Sequence, residues 1–359
     1  MPNLFSSLKI KSVELKNRIV TSPMCEYSSV DGFANDWHLV HLGTRAVGGA
    51  GLIFTEAAAV SPEGRISFAD LGIWKDEHIE KLQQITSFIS AQHAVPGIQL
   101  GHAGRKASSE QPWNGGKQIP AANTNGWHNF APTAIPFNID TEPPLELDQN
   151  GIEKVITDFR LAALRSLKAG FKVIELHAAH GYLINEFMSP MSNKRVDKYG
   201  GSFENRIRLL LEITSAVKEV WPDDLPLFVR ISAVEWVDGG WSIDDSVKLG
   251  HILKEAGIDL LDCSSGGNSA HQKITIKPGY QVEFAATVRR QSAIPTGAVG
   301  LITEPQQANL IIEKEEADLV FLARELLRDP YFPLRAAHIL KQEVKWPDQY
   351  ERAHFRPIK

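Results

Sequence analysis

Residues 173–182 read Val-Ile-Glu-Leu-His-Ala-Ala-His-Gly-Tyr. The short apolar run Val173–Leu176 is a buried strand, so His177, His180 and Tyr182 fall at or just beyond its C-terminal end. In parallel α/β architectures that end of a strand is where chemistry is placed. An imidazole can donate a hydrogen bond to a substrate oxygen. A phenol, with a reference pKa of about 10, still holds a proton at neutral pH and can give it away.

Working outward, the same kind of run recurs. Strands are expected at Arg18–Ser22, Gly51–Glu56, Gly97–Leu100, Val173–His177, Leu227–Ile231, Leu260–Cys263, Ile294–Ala298 and Asp318–Leu322. They are continuous apolar runs rather than strict alternations, as expected of strands buried on both faces. Amphipathic helices are expected between them at Asp36–Gly48, Asp76–His93, Leu147–Ala169, Phe203–Val220, Ser242–Glu255, Gln281–Arg290 and Glu304–Lys314, with a last one from about Asp329 to Lys341. Asp148, Ser202 and Ser242 stand at N-cap positions, and Gly170 and Gly257 where C′ glycines belong. Eight strands alternating with eight helices in one uninterrupted chain predict a (β/α)₈ TIM barrel over residues 1–341. No G-x-G-x-x-G follows the first strand, which disfavours a dinucleotide-binding sheet. Residues Gly104–Pro144 break the rhythm with Gly, Pro, Asn and Trp. A loop of this length is read either as a lid or wall over the site or as a surface excursion with a small hairpin. Residues 342–359 form an aromatic and charged tail.

The 359 residues are 43% hydrophobic and 23% charged with a net charge of −5, so a nucleic-acid partner has no electrostatic footprint. No run approaches a membrane span, and Met1–Lys11 lacks a signal-peptide pattern, so a cytoplasmic protein is expected. The two cysteines, Cys25 and Cys263, lack metal-ligand spacing and are expected to be reduced.

Each expected strand ends in something polar or backbone-active. The first gives Ser22-Pro-Met-Cys25-Glu-Tyr27, the second Glu56-Ala57. The third carries Gln99 and runs into His102-Ala-Gly-Arg-Lys106, and the fifth carries Arg230. Ser264 to Gly267 follow the sixth, Ala298-Val299-Gly300 end the seventh, and Ala323-Arg324 end the eighth. Loops seven and eight are where barrels commonly hold phosphate, and Arg324 supplies a bidentate cation. Arg230 inside a barrel mouth is costly unless paired. Glu175 or Glu56 are the ordinary partners to expect, and an electron-rich ring is the other. The stretch Asn193–Arg206, with its alternating charges, is read as structural.

Pro23–Tyr27, His102–Ala107 and His177–Tyr182 together resemble the Old Yellow Enzyme family of FMN-dependent ene-reductases, in the bacterial subgroup called thermophilic-like. The likeness runs from Leu15 to the tail. It implies that Ser22, Pro23, Met24 and Cys25 line the flavin, with Cys25 tuning its potential. It implies further that Ala57, Gln99 and Arg230 contact the ring, with Arg230 facing the charge of the reduced form, and that Val299, Gly300, Ala323 and Arg324 hold the phosphate. His177 and His180 would bind a carbonyl or nitro oxygen, Tyr182 would donate the proton, and Tyr27 would be a second hydroxyl over the site. NADPH or NADH would be the reductant in a ping-pong reduction of electron-poor alkenes, with hydride passing from flavin N5. Arg352 would reach a neighbouring subunit's site in a homodimer or homotetramer. Where the family commonly has Gly, this chain has Ala323, which preserves phosphate binding if its φ is negative. Readings of other classes are a cofactor-free phosphate-binding aldolase or isomerase barrel and a non-catalytic flavin-binding protein. An iron–sulfur dienoyl-CoA reductase is excluded, because two distant cysteines cannot supply its cluster.

Overall fold

The computed structural model describes residues 2–355; residues 356–359 of the tail lie outside the described residues. Eight parallel strands close into a barrel in sequence order: β1 (Ile19–Thr21), β2 (Leu52–Ala59), β3 (Val95–Gly101), β4 (Val173–Ala178), β5 (Leu227–Ser232), β6 (Leu260–Ser264), β7 (Thr296–Ala298) and β8 (Leu319–Leu322). All eight expected strands are present. β2 is longer than expected and carries a bulge between Phe54 and Ala57, which brings Ala57 into register with Gln99. Apart from Ala57, every side chain of β2, β4, β5 and β6 is buried, which is why these strands read as unbroken apolar runs.

The helices form because their ends are capped as the sequence predicts. Asp148 accepts from the Gly151 N–H at 2.7 Å, Ser202 from Asn205 at 3.3 Å, and Ser242 forms a capping box with Asp245. Gly170 and Gly257 both have φ +87°. In each case the following residue reaches back into the helix, Phe171 N–H to Ser166 O and Ile258 N–H to Leu253 O, closing a Schellman-type end.

Several boundaries differ from expectation. The helix expected at Phe203–Val220 is two segments, Phe203–Arg206 and Arg208–Lys218, flattened at Ile207. The last one is Phe332–Ile339, preceded by a separate turn of helix at Arg324–Arg328. A helix at Leu183–Met188 was not expected. All six of its residues are buried, so it has no polar face and no period to read. An antiparallel pair, Leu8–Ile10 with Val13–Leu15, covers the N-terminal end of the barrel: the Ser12 N–H donates to Asp224 O and Lys11 pairs with Asp259.

Inside the barrel the rings of Phe54, Phe228 and Phe321 pack with centroids 6.1–6.3 Å apart. Phe228 is two residues before Arg230 on β5, so this apolar floor lies one layer below the polar side chains of the C-terminal end. Among the described residues no helix is long and apolar enough to cross a membrane.

Candidate active site

The strand-four trio is brought together. The His177 ring lies edge-on to His180 at 5.2 Å and to Tyr182 at 4.8 Å. The turn that achieves this uses backbone that side chains seldom adopt: His180 has φ +61° and Gly181 φ +73°. Gly181 is required for space as well. A Cβ there would sit 2.4 Å from Gly267 O, because the loops after β4 and β6 pack backbone to backbone. Ser232 Oγ accepts the His180 N–H at 2.8 Å and fixes the turn to β5.

The hydrogen bonds decide what the two imidazoles can offer. His177 Nδ1 accepts from the Ala179 N–H at 3.3 Å, so the neutral ring carries its proton on Nε2. His180 Nε2 is 2.7 Å from Ser264 Oγ, so that nitrogen is already engaged. Burial pushes both imidazoles well below the ordinary histidine range, and Arg230 lowers them further. They are therefore neutral at pH 7. Their proton NMR signals should show no protonation step as the pH falls through about 6.5; a midpoint there would contradict the geometry. The linked effect on folding has a definite sign. The unfolded chain takes up these protons first, so both rings contribute stability above pH 6.5 that is lost progressively on acidification.

Tyr182 keeps its proton firmly. Burial raises its pKa well above the usual phenol value. The Cys25 thiol is held protonated by burial and by the carboxylates of Asp70 and Glu56. Tyr27, at φ +49°, meets the ring of Trp113 edge-on at 5.8 Å. Trp113 belongs to the 104–144 excursion, so that excursion stands against a residue of the mouth. Within it an antiparallel bridge joins Ser109 to Gln118, with the Glu110 N–H donating to Lys117 O and the Ile119 N–H to Ser108 O, and Phe130–Ala131 pairs in parallel with Leu145–Glu146 just beyond its end.

One further side chain joins this group and has no clear signal in sequence. Lys106 Nζ donates to His180 O at 2.9 Å and to Gly267 O at 3.1 Å. It also lies 5.3 Å over the Tyr182 ring and 4.6 Å over Phe137. Burial lowers its pKa to about 8. It fastens the loops after β3, β4 and β6 at one point.

In register with His177, Arg230 spans from β5 towards β1, its Nη1 donating to Ser22 Oγ at 3.1 Å. The expected carboxylate partner needs correcting. Arg230 Nε lies 3.1 Å from Asp262 Oδ2, on the neighbouring strand β6. Glu56 is committed elsewhere, accepting from the Glu26 N–H and contacting His38 Nε2 at 3.1 Å, and Glu175 Oε1 accepts from Gln99 Nε2 at 2.8 Å. Alternation tells which residues point inward, but not which inward residue of the next strand lies alongside.

At the far side of the mouth, Val299, Gly300, Ala323 and Arg324 line one cavity of about 170 Å³, together with Tyr280, Gln281 and Arg328. Gly300 has φ +115°, and a Cβ there would meet Gln281 Nε2 at 2.8 Å. Ala323 has φ −102°, so the departure from glycine is tolerated. A guanidinium, a left-handed glycine and a small concave space suit a phosphate. Buried polar atoms without a hydrogen-bond partner among the described residues, Glu175 Oε2 and Arg230 Nε among them, lie near the mouth and suit a polar ring beside them. The residues present thus fit FMN. Arg352 stands apart. It is exposed on the turn Asp348–Ala353, and no hydrogen bond or ion pair among the described residues ties it to its own chain's site. The stretch Asn193–Arg206 is structural as read: Asn193 Nδ2 donates to Phe187 O and Tyr199 O, and Arg195 to Pro132 O and Leu147 O.

A closed parallel barrel with this polar mouth is the frame of a flavin oxidoreductase, and residues 3–343 match the NADH:flavin oxidoreductase / NADH oxidase family. The chain belongs to that family, with FMN as cofactor and a nicotinamide as reductant. It is 52% identical to an NADPH dehydrogenase of Bacillus cytotoxicus, over 98% of this chain and 96% of the relative. Among solved structures it is similar to morphinone reductase in complex with tetrahydroNAD, at 25% identity and TM-score 0.78, covering 97% of this chain and 93% of that one. It is also similar to a 2-naphthoyl-CoA reductase, at 26% identity and TM-score 0.85. There it covers 95% of its own length but about half, 52%, of the larger protein.

Proposed function

We propose that this chain is an NADPH-dependent ene-reductase acting on alkenes activated by a carbonyl or nitro group. The observation that carries the reading is the joint placement of a neutral donor, His177 Nε2, and a firmly protonated phenol, Tyr182, with their rings 4.8 Å apart over the barrel mouth. FMN supplies the hydride that passes from the nicotinamide to the substrate. Arg324, with the backbone around Gly300 and Ala323, would hold its phosphate, and Ser22 to Cys25, Ala57, Gln99 and Arg230 would surround its ring.

The chain's own residues then do the rest. His177, with His180 beside it, donates to the substrate oxygen and stabilises the negative charge that grows there when hydride reaches the β-carbon. Tyr182 gives its proton to the α-carbon, so the alkene gains one hydride and one proton. The phenol is protonated throughout the neutral range, as the step requires. Tyr27 and Trp113 support reading the 104–144 excursion as one wall of the mouth. Arg352 is assigned to the mouth of a second copy, which makes the working unit a homo-oligomer.

An aldolase-type reading finds no support in Lys106: its amine is engaged by two carbonyl oxygens rather than free for a carbonyl substrate. The direct test is anaerobic turnover with an enone, a maleimide and a nitroalkene, with product analysis. Saturated products formed one for one with NADPH consumed are expected. NADPH consumption with the alkenes recovered unchanged would overturn the reading.

A further inference from the structure

Under the mouth lies a tier of buried polar side chains of which two have no role so far. Asp262 on β6 and Glu175 on β4 are both fully buried, on either side of the Arg230 strand. The contact between Arg230 Nε and Asp262 Oδ2 is short, 3.1 Å, but the N–H does not aim at the oxygen. Among the described residues, neither that nitrogen nor either Asp262 oxygen has a hydrogen-bond partner. The pairing is therefore one of charge rather than of hydrogen bonding. Glu175 differs. Its Oε1 is held by Gln99, while Oε2 has no partner among the described residues.

Their charges differ too. Burial raises Asp262 to about 6 and Arg230 holds it down, so it is mostly ionised at pH 7. Burial, reinforced by the charge of Asp262, lifts Glu175 well above the carboxylate range, so it is a neutral acid. The tier holds one cation, one anion and one neutral carboxyl.

We propose that Asp262 is a positioning residue for the electron affinity of the site: it cancels the charge of Arg230, so that the guanidinium offers donors to the flavin ring without a net positive charge beneath it. The proposal rests on the reading that Arg230 faces that ring. The physics is direct. In a water-poor interior a cation a few ångströms away acts with little screening. A bare guanidinium would hold the electron-rich reduced cofactor more tightly than the oxidised one and so hinder hydride release to weak acceptors. An adjacent carboxylate makes the pair neutral overall and leaves a dipole's weaker field at the ring. No other ionised carboxylate is in contact with Arg230 among the described residues.

The test uses the holoprotein and reads the midpoint potential by dye equilibration, together with the affinities for oxidised and reduced FMN. Asp262→Asn should favour reduced over oxidised FMN about tenfold, a rise of about 30 mV for a two-electron couple. Glu175→Gln, which removes no charge, should leave the potential where it is. If Asp262→Asn does not fold, Asp262→Ser carries the same prediction. A potential unmoved or lowered in the Asp262 variant would overturn the proposal, as would an equal rise in Glu175→Gln. Arg230→Met separates the two layers of the argument. If it lowers the potential while Asp262→Asn does nothing, Arg230 does face the ring and only the role of Asp262 falls. If neither variant moves the potential, the placement of the ring over Arg230 falls with it.

Discussion

Tyr182→Phe should slow re-oxidation of the reduced enzyme by an enone roughly 10²–10⁴-fold, while reduction by NADPH keeps its wild-type rate. The substitution removes only the hydroxyl. The aromatic ring remains to pack edge-on against His177 at 4.8 Å and beneath Lys106, so the mouth keeps its shape. The reductive half-reaction needs no proton at the alkene α-carbon and has no use for the phenol. Stopped-flow absorbance separates the two halves. Equal loss in both would mean that Tyr182 holds the site together instead of donating. An unchanged oxidative half would transfer the role to Tyr27, the other hydroxyl over the mouth, whose proton is also firmly held by burial.

His177→Ala should be nearly as damaging to the same half-reaction, by roughly 10²–10³-fold, as expected when one donor to a developing oxyanion is lost. It should also weaken binding of a phenolic ligand, read from the change in the visible spectrum. The two histidines are not equivalent. His177 Nε2 has no hydrogen-bond partner among the described residues, whereas His180 already shares its Nε2 with Ser264 Oγ at 2.7 Å. His180→Ala should therefore cost less. Unchanged ligand affinity in the His177 variant would contradict the oxyanion role, and a larger loss at His180 would reverse the assignment of the principal donor.

The barrel was legible because its strands are buried on both faces and its helices carry capping residues, as at Asp148, Ser202 and Ser242. What escaped has physical reasons. The Leu183–Met188 helix is buried all round and so has no amphipathic signature. Sequence offers Glu175, Glu56 or an electron-rich ring as the partner of Arg230 and misses Asp262, because alternation fixes which way a side chain points but not the stagger between strands. That stagger sets Asp262 alongside Arg230. Asp262 was hidden within an apolar run. Lys106 was visible only as part of a motif; that one amine would bridge His180 O and Gly267 O depends on three loops meeting in space. The four residues expected to hold a phosphate, by contrast, do line one cavity, since loops seven and eight are neighbours in any barrel closed in sequence order. Arg352, on the exposed turn Asp348–Ala353, had no such constraint.

The central claim is that hydride taken from NADPH leaves to an activated alkene at this mouth. It is tested most directly by following the visible spectrum of the purified wild-type protein without oxygen. The account predicts a yellow protein that NADPH bleaches and 2-cyclohexenone restores, with cyclohexanone formed in equal amount to the flavin re-oxidised. A protein bleached by NADPH that stays bleached with cyclohexenone and with every other activated alkene would contradict it.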